Sequence, residues 1–405
     1  MSYPACPATS SSERTLAKQT RPIRVAFLID RLSRAGTEIQ LLALIHSLNR
    51  SRVLPWLVLL DGNDADSQHM APTDCPVLRL GVKSLASRRA MKAAFRLACH
   101  LRSWQIDVVQ TYFIDSTLFG VPVARWAGVP WVIRVRNNLG YWTKRWHRWL
   151  DRRLQRWINV TLTNSIAGQD QLCADGIAPD RIRVLENGVD VERFRAPPPR
   201  FSDRIRIGTV ANLRPVKGLD LLVRAARPLV DRHPNLTFEV AGEGPERSVL
   251  EELIRSYNLE SHFFLRGAVS DIPGFLAELD IAVLPSRSES MSNALLEAMA
   301  AGRAIVATRV GAASQLIRPG VDGLLIEPES IPALVEAIDY LVRHAEESRN
   351  MGMSARERVT AHHSRKVMCH RFEQFYEELV WGDGRTGPVL LNSTAPVHCE
   401  PIGGV

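Results

Sequence analysis

The residues best placed to do chemistry lie in the second half of the chain. Arg214 and Lys217 stand in the segment Asn212-Leu213-Arg214-Pro215-Val216-Lys217-Gly218. Two fixed cations beside a helix start suit a diphosphate, and arginine adds a planar fork of donors. The plain alternative is a pair of solvated surface cations. Glu289 and Glu297, with seven residues between them, flank Ser290-Met291-Ser292-Asn293. Two such carboxylates can accept hydrogen bonds from two sets of sugar hydroxyls, while amides at the helix start meet a phosphate or a hexose. Taken alone, that pattern also fits an ordinary helix N-terminus with acidic neighbours. Gly242 and Gly244, in Ala241-Gly242-Glu243-Gly244-Pro245, allow a sharp turn and close approach of a ligand, or merely a strand-to-helix turn.

These groups need elements that hold them at one edge. Ile205–Ala211, Leu236–Ala241, Phe263–Arg266, Ile281–Pro285 and Ala304–Thr308 are apolar runs of strand length, each followed by a turn and mostly by a helical pattern. The first half repeats the scheme with Ile23–Asp30, Trp56–Leu60, Ile106–Gln110, Trp131–Val135 and Val160–Asn164. Strands alternating with helices predict doubly wound parallel sheets, whose ligands bind beyond the carboxyl ends of the strands. Arg214, Lys217, Gly242 and Glu289 all follow predicted strands directly.

A chain of 405 residues exceeds what one core usually supports, so two domains are expected. The three prolines in Arg193–Arg200 predict the linker there. This divides the chain into a tail (1–20), a first domain (21–195), a second domain (196–365), a closing helix (366–381) and a second tail (382–405). Apolar residues at 45% and charged residues at 23% fit a globular protein and exclude a disordered or fibrous one. Six cysteines without a C-x-x-C pair indicate neither a disulfide framework nor a zinc site, which fits a reducing cytoplasm. No apolar run reaches membrane-spanning length, and the first twenty residues lack a signal-peptide core.

The net charge of +8 is uneven: from Lys83 to Arg156 there are fifteen Lys or Arg against three acids. Such a field attracts nucleic acid, anionic lipid or phosphorylated substrates. No nucleic-acid-binding module accompanies it, so nucleic acid is not an expected partner. Residues 141–157 (YWTKRWHRWLDRRLQRW) combine tryptophan with six Lys or Arg, which predicts either a helix resting on anionic membrane or an ordinary amphipathic helix packed on the sheet. Asp64-Ala65-Asp66 spells a D-x-D but sits in a polar loop, and His362-His363 with Cys369-His370 lacks carboxylates; neither predicts a metal site.

The ordered set R-P-V-K-G, A-G-E-G-P and S-E-x7-E, with Ala35-Gly36-Thr37-Glu38, Asn187-Gly188-Val189-Asp190 and Asp322-Gly323-Leu324-Leu325, resembles the retaining glycosyltransferase family 4 (glycosyl transferases group 1) over about Ile23 to Val380. The resemblance implies the α/β GT-B fold: two Rossmann-like doubly wound parallel-sheet domains facing a cleft. It implies transfer of a hexosyl-type sugar from a nucleoside-diphosphate sugar to a glycan or lipid-linked acceptor with retention, in surface or extracellular polysaccharide biosynthesis. No metal or other cofactor is expected. Arg214 and Lys217 would bind the diphosphate and stabilise the departing charge, with Glu289 at the transferred sugar as the third catalytic residue. Glu297 would hold the ribose, Gly36, Gly242, Ser290, Met291, Ser292 and Asn293 would complete the donor site, and Val269 would line the base.

Two departures stand out. Where many members carry a histidine just after the strand equivalent to Trp131–Val135, this chain reads Arg136-Asn137, which would take over the donor-sugar or acceptor contact. Gln315 stands where an acid is frequent. A nucleotide-sugar-binding or scaffolding protein without turnover, and a sugar-nucleotide epimerase on the same fold, are the alternative readings. The expected location is the cytoplasm, on the inner face of the cytoplasmic membrane.

Overall fold

The computed structural model describes residues 21–137 and 153–382. Both predicted tails and most of the Trp/Arg-rich segment lie outside the described residues. Among the described residues the strands form two wholly parallel sheets. The first holds β1 (Ile23–Ile29), β2 (Val53–Leu59), β3 (Val77–Arg79), β4 (Val108–Thr111), β5 (Trp131–Val135), β6 (Val160–Thr163) and β7 (Ile182–Val184), in the order β3-β2-β1-β4-β5-β6-β7. The second holds β8 (Ile205–Val210), β9 (Leu236–Ala241), β10 (Phe263–Gly267), β11 (Ile281–Leu284), β12 (Ala304–Thr308) and β13 (Leu324–Ile326), in the order β10-β9-β8-β11-β12-β13.

The near-continuous apolar runs follow from helices covering both faces of each sheet. β1, β4, β9, β11 and β12 are buried along almost their whole length. Pro55 is tolerated inside β2 because the three-residue β3 begins opposite Leu57 and asks no ladder bond of residue 55. Strand order reverses between β1 and β4, and again between β8 and β11. Such switch points open a crevice beyond the strands' carboxyl ends.

The chain crosses between the domains twice, side by side. The outward crossing is at Asn187–Asp190: the Val189 amide donates to the His363 carbonyl at 2.9 Å, and the Arg365 amide returns to the Val189 carbonyl at 2.8 Å. Arg193–Arg200 lies beyond this crossing and packs on the second domain, with Phe194 buried in its core and Arg349 Nε donating to the Pro199 carbonyl at 3.0 Å. Ser364 caps the helix Arg365–Trp381, which turns back to the first domain and buries Met368, Cys369, Phe375 and Tyr376 against β1 and its neighbours. Tyr376 donates to Gln110 Oε1 at 2.8 Å, and Gln110 donates on to the Tyr112 hydroxyl at 2.7 Å, so the last helix is keyed into the sheet by buried polar groups as well as apolar ones.

Candidate functional site

The site forms where the two switch points face each other. On the second domain, β8 runs into a short 3-10 turn, Pro215–Lys217, and the helix Leu219–Arg232 follows. Gly218 joins them at φ +63; a Cβ there would stand 2.1 Å from the Pro285 carbonyl at the end of β11, so only glycine fits. Gly242, at φ +151, likewise lets the end of β9 seat on the Ala211 carbonyl, which a Cβ would approach to 1.9 Å.

This seating brings Lys217 onto Glu289: the ammonium donates to the carboxylate Oε1 as a half-buried ion pair, and Ser286 Oγ donates to the same oxygen at 3.2 Å. Residues 72 apart in sequence thus meet at the β8/β11 switch point. Arg214 stands exposed at the mouth of the turn, and its carbonyl accepts the Lys217 amide at 3.0 Å. Arg287 fastens the two loops. Its amide donates to the Val216 carbonyl at 2.8 Å, and its guanidinium binds Asp220 in bidentate fashion at 2.7 and 2.9 Å, Glu329, and the Pro215 carbonyl at 2.7 Å. The two acids hold its pKa well above the ordinary arginine value. Sequence reasoning missed this residue; its one signal was an arginine immediately before the S-E-x7-E motif.

Ser292 caps the helix Asn293–Ala300, so its hydroxyl is spent on the Leu295 amide at 3.4 Å. Met291 is buried in the second-domain core, and Val269 packs against that core from the loop after β10. Glu297 lies one turn into the helix. Burial pushes its carboxyl up to about 7, with the Arg193 guanidinium pulling the other way. A group so tuned accepts hydrogen bonds fully only above neutral pH.

The first domain reaches the site through polar side chains. Asn293 Nδ2 donates to the Gly36 carbonyl at 3.1 Å, and its Oδ1 accepts from Gln40 at 3.1 Å and Asn187 at 2.8 Å. Ser290 Oγ donates to Asn164 Oδ1 at 2.6 Å and lies 2.8 Å from Ser165 Oγ. Ser290 and Asn293 therefore turn their side chains to the other domain, leaving main chain rather than side chain to meet a ligand. Gln40, Asn164 and Ser165 were not singled out in the sequence, because only closure of the two domains gives them a role; Asn187 was, through its N-G-V-D motif.

The two residues at the departure from the family pattern separate. Arg136 is buried and its guanidinium pairs with Asp175 at the end of the helix Ile166–Ala174, so its charge is already matched inside the first domain. Asn137 lines a cavity at the crevice with Thr37, Gln40, Tyr112 and Asn187. Asp64 of the D-x-D caps the helix Ala65–Met70, accepting from the Ser67 amide and hydroxyl, both at 2.8 Å. His363 is buried, with burial and the charges of Arg371, His362 and Arg358 pulling its pKa down to about 3, and Cys369 packs in the first-domain core. Among the described residues no three metal-ligating side chains gather.

With this geometry in view, comparison with known proteins is decisive for the family. Residues 24–188 match the model of the glycosyl transferase 4-like domain, and residues 190–358 match glycosyl transferases group 1; the two meet at the crossing Asn187–Asp190. The chain belongs to the group 1 glycosyltransferases. Its architecture is that of their GT-B fold: Anabaena HepE, crystallised with UDP, superposes with a TM-score of 0.78 at 18% identity over 88% of this chain and all of that one. Sucrose-phosphate synthase from Thermosynechococcus elongatus superposes at 0.73, also at 18% identity and over 88% of this chain and 99% of that one.

Among curated relatives, one subunit of the human phosphatidylinositol N-acetylglucosaminyltransferase is 34% identical over 40% of this chain, and the Escherichia coli UDP-Gal:alpha-D-GlcNAc-diphosphoundecaprenol alpha-1,3-galactosyltransferase is 25% identical over 68% of it. The matched region spans 34% of the human relative's length and 75% of the bacterial one's. As a group 1 glycosyltransferase, this chain resembles enzymes named for sugar transfer, one of which names UDP-Gal. Among the described residues no helix is long and apolar enough to cross a membrane.

Proposed function

We propose that this glycosyltransferase moves a hexosyl sugar from a nucleoside-diphosphate sugar to a glycan or lipid-linked acceptor, with retention and without a metal ion, in the assembly of surface or extracellular polysaccharide. The observation that carries the reading is the Lys217–Glu289 ion pair at the β8/β11 switch point. An incoming diphosphate, with more charge than one carboxylate, draws Lys217 and Arg214 to itself and releases Glu289 to accept the sugar's hydroxyls. The anomeric C–O bond then breaks, its electron pair leaving on the β-phosphate oxygen beside the two cations. The acceptor hydroxyl oxygen bonds to the anomeric carbon on the same face, and its proton passes to the departing phosphate. Glu297 takes the ribose hydroxyls, the main chain at Gly36, Gly242, Val269 and Ser290–Asn293 surrounds the nucleotide and sugar, and Asn137 faces the sugar or acceptor from the first domain.

Related proteins support the substrate class: HepE has been crystallised with UDP-glucose, and the E. coli relative carries UDP-Gal and a diphosphoundecaprenol in its name. A lipid-linked acceptor at the inner face of the cytoplasmic membrane is further supported by the helix Arg88–Ser103. It carries five Lys or Arg and no acid, and exposes Met91 at 71% and Phe95 at 60%. Phe95 packs beside Trp126, itself 53% exposed, with ring centroids 5.9 Å apart and planes tilted by 49°. Aromatic and aliphatic side chains among cations suit an anionic lipid surface. The lipid contact expected of residues 141–157 falls largely on 138–152, outside the described residues.

The test is a panel of UDP-, GDP-, ADP- and dTDP-sugars incubated in EDTA with membrane extract, with mass spectrometry for released nucleoside diphosphate and proton NMR for the anomer formed. Release from one donor with a retained anomeric configuration is expected; inversion, or activity only after metal is added back, would overturn the mechanism.

A further inference from the structure

At the end of β4, on the first domain's side of the crevice, one residue is held in a conformation that its side chain disfavours. Phe113 has φ 58 and ψ 176, a region almost reserved for glycine, since a Cβ there crowds the backbone. Phe113 is nonetheless not buried in a core: the residue is 37% exposed. Burial of the ring therefore does not offset the strain; the surroundings hold the backbone in place.

They do so from several directions. The Tyr112 amide donates to the Leu28 carbonyl at 2.9 Å, prolonging the β1–β4 ladder up to the strained residue. On the other side, the Phe113 carbonyl accepts from Thr117 Oγ1 at 2.5 Å, and Thr117 in turn contacts Thr111 Oγ1 at 3.1 Å. Asp30, at the end of β1, accepts from the Ser116 amide at 2.7 Å and from Ser116 Oγ at 2.5 Å, so a carboxylate from the neighbouring strand caps the helix Ile114–Ala127. Ser116 Oγ also contacts the Tyr112 carbonyl. Ser116 and Thr117 are fully buried. Residues 112 to 117 are thus clamped onto both strands of the switch point, where such sheets bind ligands. Strain that persists only because its surroundings over-determine it marks functional positions.

We infer that Phe113 is an acceptor-recognition residue, its exposed ring offering a flat apolar platform to the C–H face of the acceptor's terminal sugar. An aromatic ring suits that role: it presents a large rigid apolar area with little rotamer entropy to lose. The donor's charged groups are provided for on the opposite domain, so the apolar platform on this side serves the acceptor. The inference rests on the glycosyl-transfer reading, and binding is therefore measured apart from turnover.

The probes are the methyl α- and β-glycosides of glucose, galactose, mannose and N-acetylglucosamine, observed by saturation-transfer NMR on the full chain, with thermal unfolding of the same samples. The wild type is expected to saturate ring C–H protons of at least one probe. Phe113→Gly should lose that transfer at least severalfold while melting at or above the wild-type temperature, because glycine relieves the strain. Phe113→Ala should lose transfer and melt below Phe113→Gly, whereas Phe113→Trp should keep the transfer. No transfer to any probe in the wild type, unchanged transfer in Phe113→Gly, or a Phe113→Gly that melts below Phe113→Ala would each overturn the inference. Absence of nucleoside diphosphate release from every donor by the wild type in the presence of membrane extract would count against glycosyl transfer, not against the platform.

Discussion

The buried carboxyl of Glu297 makes stability depend on pH in a way that can be measured. Its carboxyl titrates at about 7 in the folded chain against an ordinary 4.5, because burial disfavours the charge. A carboxyl raised on folding holds its proton more tightly in the native state, so stability falls as pH climbs from the unfolded value through about 7 and is flat beyond it. The difference corresponds to about 3 kcal/mol of penalty at pH 8.5 and about 1 kcal/mol at pH 5.5. Glu297→Gln removes the charge at nearly constant volume. Equilibrium urea unfolding should show the variant more stable than wild type by about those amounts at the two pH values, with an unchanged denaturant slope. The variant should bind nucleoside diphosphate more weakly than wild type at pH 8.5, since a carboxylate accepts both ribose hydroxyls and an amide cannot do so as well. A Glu297→Gln protein whose stability advantage is absent at pH 8.5, or equal at both pH values, would refute the assignment of burial as the cause.

Gly218→Ala should destabilise the second domain by about 2 to 3 kcal/mol, read as a lower urea midpoint, since the new Cβ meets the Pro285 carbonyl at a positive φ. The same change should weaken donor binding by displacing the turn that carries Arg214 and Lys217 from the end of β11, and wild-type affinity in the variant would argue that the two loops are not coupled. Replacing Met91, Phe95 and Trp126 together by serine should reduce flotation with phosphatidylglycerol vesicles severalfold while leaving release from soluble donor intact. Equal flotation would remove this face from the membrane reading.

Much of this was legible before the fold. Long apolar runs such as β1, β9 and β12 declare themselves because both faces are buried, and the motifs that follow them fix which loops meet at the crevice. β3, β7 and β13 did not, since three residues show no period. The three prolines marked a stiff stretch, but the crossing lies at Asn187–Asp190, where pairing with His363–Arg365 holds two segments together that are far apart in sequence. The Asp64-Ala65-Asp66 pattern is a helix cap, a local role that a three-residue motif cannot distinguish from ligation. Arg287 and the Asn293 contacts to Gly36, Gln40 and Asn187 depend on two loops or two domains closing, which no local pattern encodes. The same holds for Arg136, whose partner Asp175 comes from the end of a later helix.

The most direct test of the site is the rate of nucleoside diphosphate release by Lys217→Ala on the donor that the wild type uses best. Loss of an aligned cation from the departing phosphates should lower kcat by about 100- to 1000-fold. A wild-type rate in Lys217→Ala, with the variant folded by thermal unfolding, would contradict the central claim that the β8/β11 switch point holds the donor's diphosphate.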